Sequence, residues 1–278
     1  MTTKTIAHFG PRLVASPTGR LRAAVLVKPN ASIERAKPRP GEPGAVYSWA
    51  LEQHAVFCKT LAYFGVETIV LEPHGDDSYE ASVADAAVTF EDGAMLMRPT
   101  PMLRRAETDR TESEFAHIDV PLAGHIVAPG LLDGTDVMLA GTTAFVGVGK
   151  RGNELGRNGF SEVARAHGYR VVEVRLADGV PALRAVASAV AADTVVLASD
   201  KVDPAAFDGF KTIVLERGEE LGAGVLCLGE RHVLANIRFR TSLTAMRRSG
   251  ITVEAIDLYE FCKIGITPSM LALALKRD

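Results

Sequence analysis

The chain has 278 residues, 47% hydrophobic and 23% charged, with a formal net charge of -3. This is long enough to bury a substantial core, and the composition excludes a disordered or fibrous chain. No dense Lys/Arg run offers the concentrated basic face that nucleic acid or an anionic membrane requires, so the expected partner is a small molecule.

Cys58, Cys227 and Cys262 lack metal-type spacing and leave an odd count, which points to free thiols in a reducing cytoplasm. No apolar run reaches membrane-spanning length, and the first ten residues lack the apolar core of a signal peptide. No motif asks for a metal or an organic cofactor.

Taken in order, residues 21–27 (LRAAVLV) read as a first strand, ended by Lys28 and Pro29. A Pro/Gly-rich loop leads to 46–63, where Trp49, Leu51, Val56, Phe57 and Leu61 suit an amphipathic helix stopped by Gly65. Residues 66–71 form a second strand. A loop with His74, Gly75, Asp76 and Asp77 precedes strands at 86–90 and 94–98, joined at Asp92-Gly93, a tight-turn signal.

Two later segments follow one plan. Residues 137–176 read strand, turn, strand, Arg151, helix, strand, and residues 225–258 repeat that order around Arg240. Residues 21–71 and 86–122, and the pair 194–198 with 212–215, fit it more loosely. A unit of this size cannot cover its own apolar sheet face, so about five of them must share a centre. The predicted architecture is a closed α/β propeller with five-fold pseudo-symmetry, one domain over 1–278. An ordinary α/β sandwich is the alternative. In a radial fold, loops distant in sequence meet at one mouth of the axis.

The stretch 131–156, LLDGTDVMLAGTTAFVGVGKRGNELG, is the richest in chemistry. It joins an acidic turn (Asp133, Gly134, Asp136), two short strands and a cationic loop (Lys150, Arg151, Asn153). Carboxylates at one strand end and a guanidinium at another suit a small zwitterion with a cationic side chain. A hairpin with polar turns reads the same way on residue types alone.

The runs 74–107, 131–156 and the C-terminal VLCLGERHVLAN…RRSGITVEAIDLYEF resemble the dimethylarginine dimethylaminohydrolases of the guanidine-modifying (amidinotransferase) superfamily, whose pentein fold is a five-fold α/β propeller. The resemblance spans nearly the whole chain and implies a hydrolase of arginine metabolism, dimethylargininase-like, acting on C–N bonds. Asp85 then matches the aspartate that hydrogen-bonds the substrate guanidinium, and Asp133 the acidic residue of the family's DGGD or EGGD turn, with Asp136 beside it. Arg104 and Arg151 match two arginines that grip the substrate's α-carboxylate. These types fit the task, because a carboxylate accepts paired bonds from a guanidinium and an arginine fork grips a carboxylate.

The departures are as informative. Members of this family attack the guanidinium carbon with a cysteine thiolate and move protons with a histidine. The family's Leu-His-Leu-Lys type motif corresponds here to Pro181-Ala182-Leu183-Arg184, placing Ala182 at the histidine. The family's Gly-Gly-x-x-Cys-Met type segment corresponds to 265–270, placing Ser269 at the nucleophile, or Met270 with a one-residue gap. Ser82-Val83-Ala84-Asp85 replaces Phe-Val-Glu-Asp, which implies a wider, less acidic pocket.

Cys262, expected in a loop lining the same mouth, is the candidate replacement nucleophile, against the usual fate of a free cysteine as packing. His74 is the candidate base for Ser269; His8, His54, His117, His125, His167 and His232 read as surface or structural. Three functions follow: an enzyme on an arginine-like guanidino or ureido amino acid with a non-standard site, a catalytically inactive binder of such a ligand, or a scaffold. The resemblance leaves a homodimer open, though no patch in the sequence predicts one.

Overall fold

The computed structural model describes residues 9–278. Its strands and helices run in chain order as β1 (Leu21–Val27), α1 (Tyr47–Tyr63), β2 (Glu67–Leu71), β3 (Ala87–Thr89), β4 (Ala94–Leu96), α2 (Arg105–His117), β5 (Leu122–His125), β6 (Val137–Ala140), β7 (Thr143–Val148), α3 (Glu154–Ala166) and β8 (Arg170–Arg175). There follow α4 (Leu183–Val186), β9 (Ala187–Ala191), β10 (Thr194–Ala198), β11 (Lys211–Leu215), β12 (Leu226–Gly229), β13 (His232–Asn236), α5 (Arg240–Arg248), β14 (Thr252–Ile256), α6 (Tyr259–Lys263) and β15 (Leu273–Arg277).

The strands form five separate three-stranded sheets. Each has an inner strand paired antiparallel to a middle strand, which pairs parallel to an outer one; β6-β7-β8 and β12-β13-β14 are examples. A parallel pair needs a crossover, and helices supply it in four sheets. In β9-β10-β11 the crossover is only a short 3-10 turn, Pro204–Phe207, capped by the Asp203 side chain accepting from Ala205 N at 2.9 Å. The first sheet is closed by the chain's other end, with Ala24 opposite Ala274 and Val25 opposite Leu273 across β1 and β15.

The crossover helices bury one face against the sheets. Phe57 and Leu61 on α1, Phe115 on α2, Phe160 and Ala164 on α3 and Met246 on α5 are fully covered. Each buried large side chain contributes about 1.5–3 kcal/mol relative to exposure, so a packed helix face is a main source of cohesion in the four blades that have a crossover helix. No helix among the described residues is long and apolar enough to cross a membrane.

The inner strands β3, β6, β9, β12 and β15 surround a central axis, and a tight turn precedes each of them: Val83–Asp85, Gly134–Asp136, α4, Glu220–Ala223 and the turn at 268–270. These turns form a bonded ring. Thr135 donates its hydroxyl to Asp85, Leu183 N donates to Asp136 Oδ1 at 3.0 Å, and Ser269 Oγ donates to the Arg184 carbonyl at 2.8 Å. Ser269 N donates to the Gly224 carbonyl at 3.2 Å, and Ala84 N to the Met270 carbonyl at 3.2 Å. Gly134 is required by closeness: a Cβ there would lie 2.2 Å from the Ala84 carbonyl oxygen. Residues far apart in sequence therefore meet at one mouth.

Candidate functional site

The acidic turns place Asp85, Asp133 and Asp136 side by side at the mouth, all essentially buried. Between them lies the guanidinium of Arg151. Its Nη2 is 2.8 Å from Asp85 Oδ1 and 3.0 Å from Asp133 Oδ1, its Nε is 3.6 Å from Asp136 Oδ2, and its Nη1 donates to the Pro181 carbonyl at 3.1 Å. Arg104, at the end of a 3-10 turn before α2, approaches from the other side. It donates from Nη1 to Asp85 Oδ2, and its Nε and Nη2 grip Glu107 at 2.8 and 2.7 Å.

The loop carrying Arg151 is held by Asn153, which caps α3 by accepting from Gly156 N at 2.9 Å. The same oxygen accepts from Leu131 N at 3.0 Å, and the side-chain amide donates to the Pro129 carbonyl at 2.9 Å. Gly156 packs directly on Leu131, where a Cβ would sit 2.1 Å from the carbonyl oxygen. The two halves of the 131–156 stretch are thus tied to each other before any ligand is considered. Thr100 adds a further tie, donating its hydroxyl to Asp133 at 2.9 Å and accepting from Gly152 N at 2.7 Å.

Five carboxylates, Asp85, Asp133, Asp136, Glu107 and, at 3.8 Å from Arg104, Asp77, thus face two guanidiniums. Burial by itself raises the Asp85 pKa, but Arg151, Arg104 and the Thr135 hydroxyl overcome it and hold that carboxyl below the usual carboxylate range. For Asp136 burial prevails over the pull of Arg151, and Asp133 adds to the rise, so its pKa is pushed up to about 7. Burial likewise raises Asp133 against the attraction of Arg151. The cluster has more acid than base, and the excess is expressed as raised carboxyl pKa values, that of Asp136 reaching neutrality.

Above the cluster lies a cavity of about 340 Å³ lined by Asp85, Arg104, Arg151, Tyr79, Pro181 and Met270, among others. That is the size of a small-ligand site, with apolar walls and a few convergent charged groups. Of the residues singled out from the sequence, Asp85, Arg104, Asp133, Asp136 and Arg151 come together here. Thr135, Thr100, Glu107 and Tyr79 join them. Thr135 lies inside the acidic turn and was findable there; the other three carried no signal of their own.

Ser269 is not on this cavity. It is buried on the axial side of the ring, bonded to the Arg184 carbonyl and 3.1 Å from the Thr267 hydroxyl. Ala182 is buried one residue before the Leu183 amide that meets Asp136.

Cys262 requires a correction of place: it lies in the short helix α6, not in a loop at the mouth, because Phe261 and Cys262 turn inward to pack in the core. Asn236 Nδ2 lies 3.0 Å from its sulfur, and burial pushes its thiol up to about 12, against that hydrogen bond.

His74 is exposed, with its backbone N–H at 2.5 Å from Glu80 Oε1, and it does not line the cavity. His54 is buried, His117 and His125 are exposed, His167 sits 2.8 Å from Asp92, and His232 sits 3.1 Å from Glu254. His8 lies outside the described residues. Among the described residues no group of His, Cys, Asp and Glu side chains has the arrangement of a metal site.

Comparison with solved structures identifies the fold. The chain superposes on dimethylarginine dimethylaminohydrolase from Pseudomonas aeruginosa, a cysteine-to-serine mutant complexed with citrulline. The TM-score is 0.83 at 22% identity, over 91% of this chain and 99% of that one. It superposes as well on the product-bound N-terminal domain of ArgZ, a cyanobacterial arginine dihydrolase of the ornithine–ammonia cycle. There the TM-score is 0.80 at 15% identity, over 92% of this chain and 97% of that domain. The five sheets are therefore those of the pentein propeller.

No protein-family model matches the chain. In sequence it is 29% identical over 265 residues to N(G),N(G)-dimethylarginine dimethylaminohydrolase of Streptomyces coelicolor, covering 95% of this chain and 96% of the relative. It is 25% identical over 227 residues to the Pseudomonas aeruginosa enzyme of the same name, covering 82% and 89%. In sequence and in fold the chain is thus similar to the dimethylarginine dimethylaminohydrolases, which are guanidino-modifying hydrolases.

Proposed function

We propose that the mouth takes an arginine-like guanidino or ureido amino acid and that the protein hydrolyses a C–N bond of its side chain. The observation that carries this reading is the guanidinium of Arg151 lodged among Asp85, Asp133 and Asp136. A cluster that holds one guanidinium by paired charge-assisted bonds has the geometry for another. A ligand side chain entering the cluster exchanges with Arg151, which swings out to meet the ligand's α-carboxylate together with Arg104.

The chemistry differs from thiolate attack. The position that resembles the family's nucleophile holds Ser269, whose hydroxyl is committed to the Arg184 carbonyl, and the only nearby thiol, Cys262, stays protonated. In this reading water supplies the oxygen. Its oxygen bonds to the guanidinium carbon, its proton passes to an Asp133 or Asp136 carboxylate, and a proton returns to the departing amine as the C–N bond breaks. The raised pKa of Asp133, and that of Asp136 at about 7, suit that exchange.

The same two observations, a committed serine and a protonated thiol, favour a second reading in which the mouth binds such a ligand without turnover. Incubation with arginine, methylated arginines and citrulline, followed by mass spectrometry, separates the two. Product that disappears in Asp133→Asn and persists in Cys262→Ala supports the hydrolase. Saturable stabilisation without product supports the binder, and neither response to any of these ligands removes both.

A further inference from the structure

A second cavity, of about 110 Å³, lies on the propeller axis and is lined from all five inner strands. Its chemistry is opposite to that of the mouth. Arg184 and Arg277 both line it, and among the described residues neither guanidinium meets a carboxylate. Arg277 donates only to the carbonyls of Gly19 and Cys227, at 2.9 and 2.8 Å, and Arg184 to the carbonyl of Ser269. Residues 1–8 carry no Asp or Glu that could supply the missing charge. Cys227, also on this cavity, has its thiol pushed up by burial and so remains neutral.

Two hydroxyls complete the lining. Thr89 Oγ1 on β3 and Ser188 Oγ on β9 are buried, each residue being more than nine-tenths covered, and have no hydrogen-bond partner among the described residues. A buried hydroxyl without a partner is costly, and a buried cation without a counter-charge is more so. Water could satisfy the hydroxyls but would leave two positive charges uncompensated. An anion answers both needs. Since one water occupies about 30 Å³ of liquid, the cavity has room for roughly three waters or one tetrahedral oxyanion.

We propose that the axial cavity is a binding site for a small inorganic oxyanion of the phosphate or sulfate class, held by Arg184 and Arg277 and by the hydroxyls of Thr89 and Ser188. Guanidinium forks pair with oxyanion oxygens as they do with carboxylates, and the two hydroxyls donate to the remaining oxygens. Arg184 also holds both the carbonyl and the hydroxyl of Ser269. An anion that fixes Arg184 therefore steadies the ring of turns beneath the mouth. This inference does not depend on the function proposed for the mouth.

The test is calorimetric titration of inorganic phosphate, and separately sulfate, into protein exchanged into chloride buffer at fixed ionic strength. Such anions also stabilise proteins by exclusion from the surface, but that effect does not saturate and is shared by variants. The expected result is one saturable site per chain for phosphate or sulfate, weakened about tenfold or more in Arg277→Met. The charge-preserving double variant Thr89→Val/Ser188→Ala should weaken it as well, and keeps the test open if Arg277→Met does not fold. No saturable site in the wild type, or an affinity unchanged in both variants, overturns the proposal.

Discussion

Replacing Arg151 by methionine removes a cation shared by three buried carboxyls, and the consequence can be worked from the site. Arg151 approaches Asp85 at 2.8 Å, Asp133 at 3.0 Å and Asp136 at 3.6 Å. Breaking a buried ion pair by deleting one partner costs about 3–5 kcal/mol. The Arg151 side chain is 26% exposed, which favours the lower end, about 3 kcal/mol at pH 8.

The loss should shrink on acidification, and the sign follows from proton binding. Asp133 and Asp136 already have raised pKa values in the fold, and removing Arg151 raises them further. Between the wild-type and the further-raised variant pKa values the folded variant holds more protons than the folded wild type, so lowering the pH through that window narrows the difference between them at about 1.4 kcal/mol per unit for each such group. Urea denaturation of variant and wild type at pH 8 and pH 5.5 should therefore show a difference falling from about 3 to about 1 kcal/mol. A loss under about 1 kcal/mol at pH 8, or one equal at both pH values, would refute the shared-cation account.

Three further outcomes follow from the same geometry. Asp136→Asn keeps the shape of the side chain and its acceptor for Leu183 N but removes a carboxyl titrating at about 7. It should flatten the fall in stability that the wild type shows as pH rises from about 4 to about 7, and a thermal melt series at several pH values reads this directly. Asn153→Ala deletes the cap of α3 and the tie to Leu131 and should cost about 1–2 kcal/mol by denaturant titration, with weaker ligand binding at the mouth. Iodoacetamide at pH 8 should modify half-buried Cys58 before Cys262, whose thiol is buried and titrates at about 12. Peptide mapping showing rapid Cys262 alkylation in the folded protein would restore it as a nucleophile.

The propeller was legible because its units repeat. The strands at 21–27 and 194–198 match their sequence-derived bounds. Two inner strands were not foreseen. Ala187–Ala191 is buried along its whole length, so it shows no alternation of polar and apolar residues. Leu273–Arg277 closes the first sheet against β1 from the opposite end of the chain, a pairing that no local pattern encodes.

At the site, the charged residues carried by family motifs converge as the loop logic required, while Cys262 does not. Its neighbourhood in sequence suggested a mouth loop, but Tyr259–Lys263 folds as a short helix with Phe261 and Cys262 turned toward the core. The lodging of Arg151 among the aspartates was invisible as well, because residue types reveal that charges attract and not which of them meet.

The central claim is that the aspartate cluster recognises a guanidino or ureido amino acid. Calorimetric titration of arginine, methylated arginines and citrulline into the wild type and into Asp85→Asn tests it most directly. Asp85 accepts from Arg104, Arg151, Thr135 and Ser82, so its loss dissolves the cluster's centre while the amide keeps the shape. The account predicts saturable binding of at least one of these ligands to the wild type and at least a tenfold loss, about 1.4 kcal/mol, in the folded variant. Binding of equal strength in both proteins, or no binding of any of these ligands to the wild type, would contradict it.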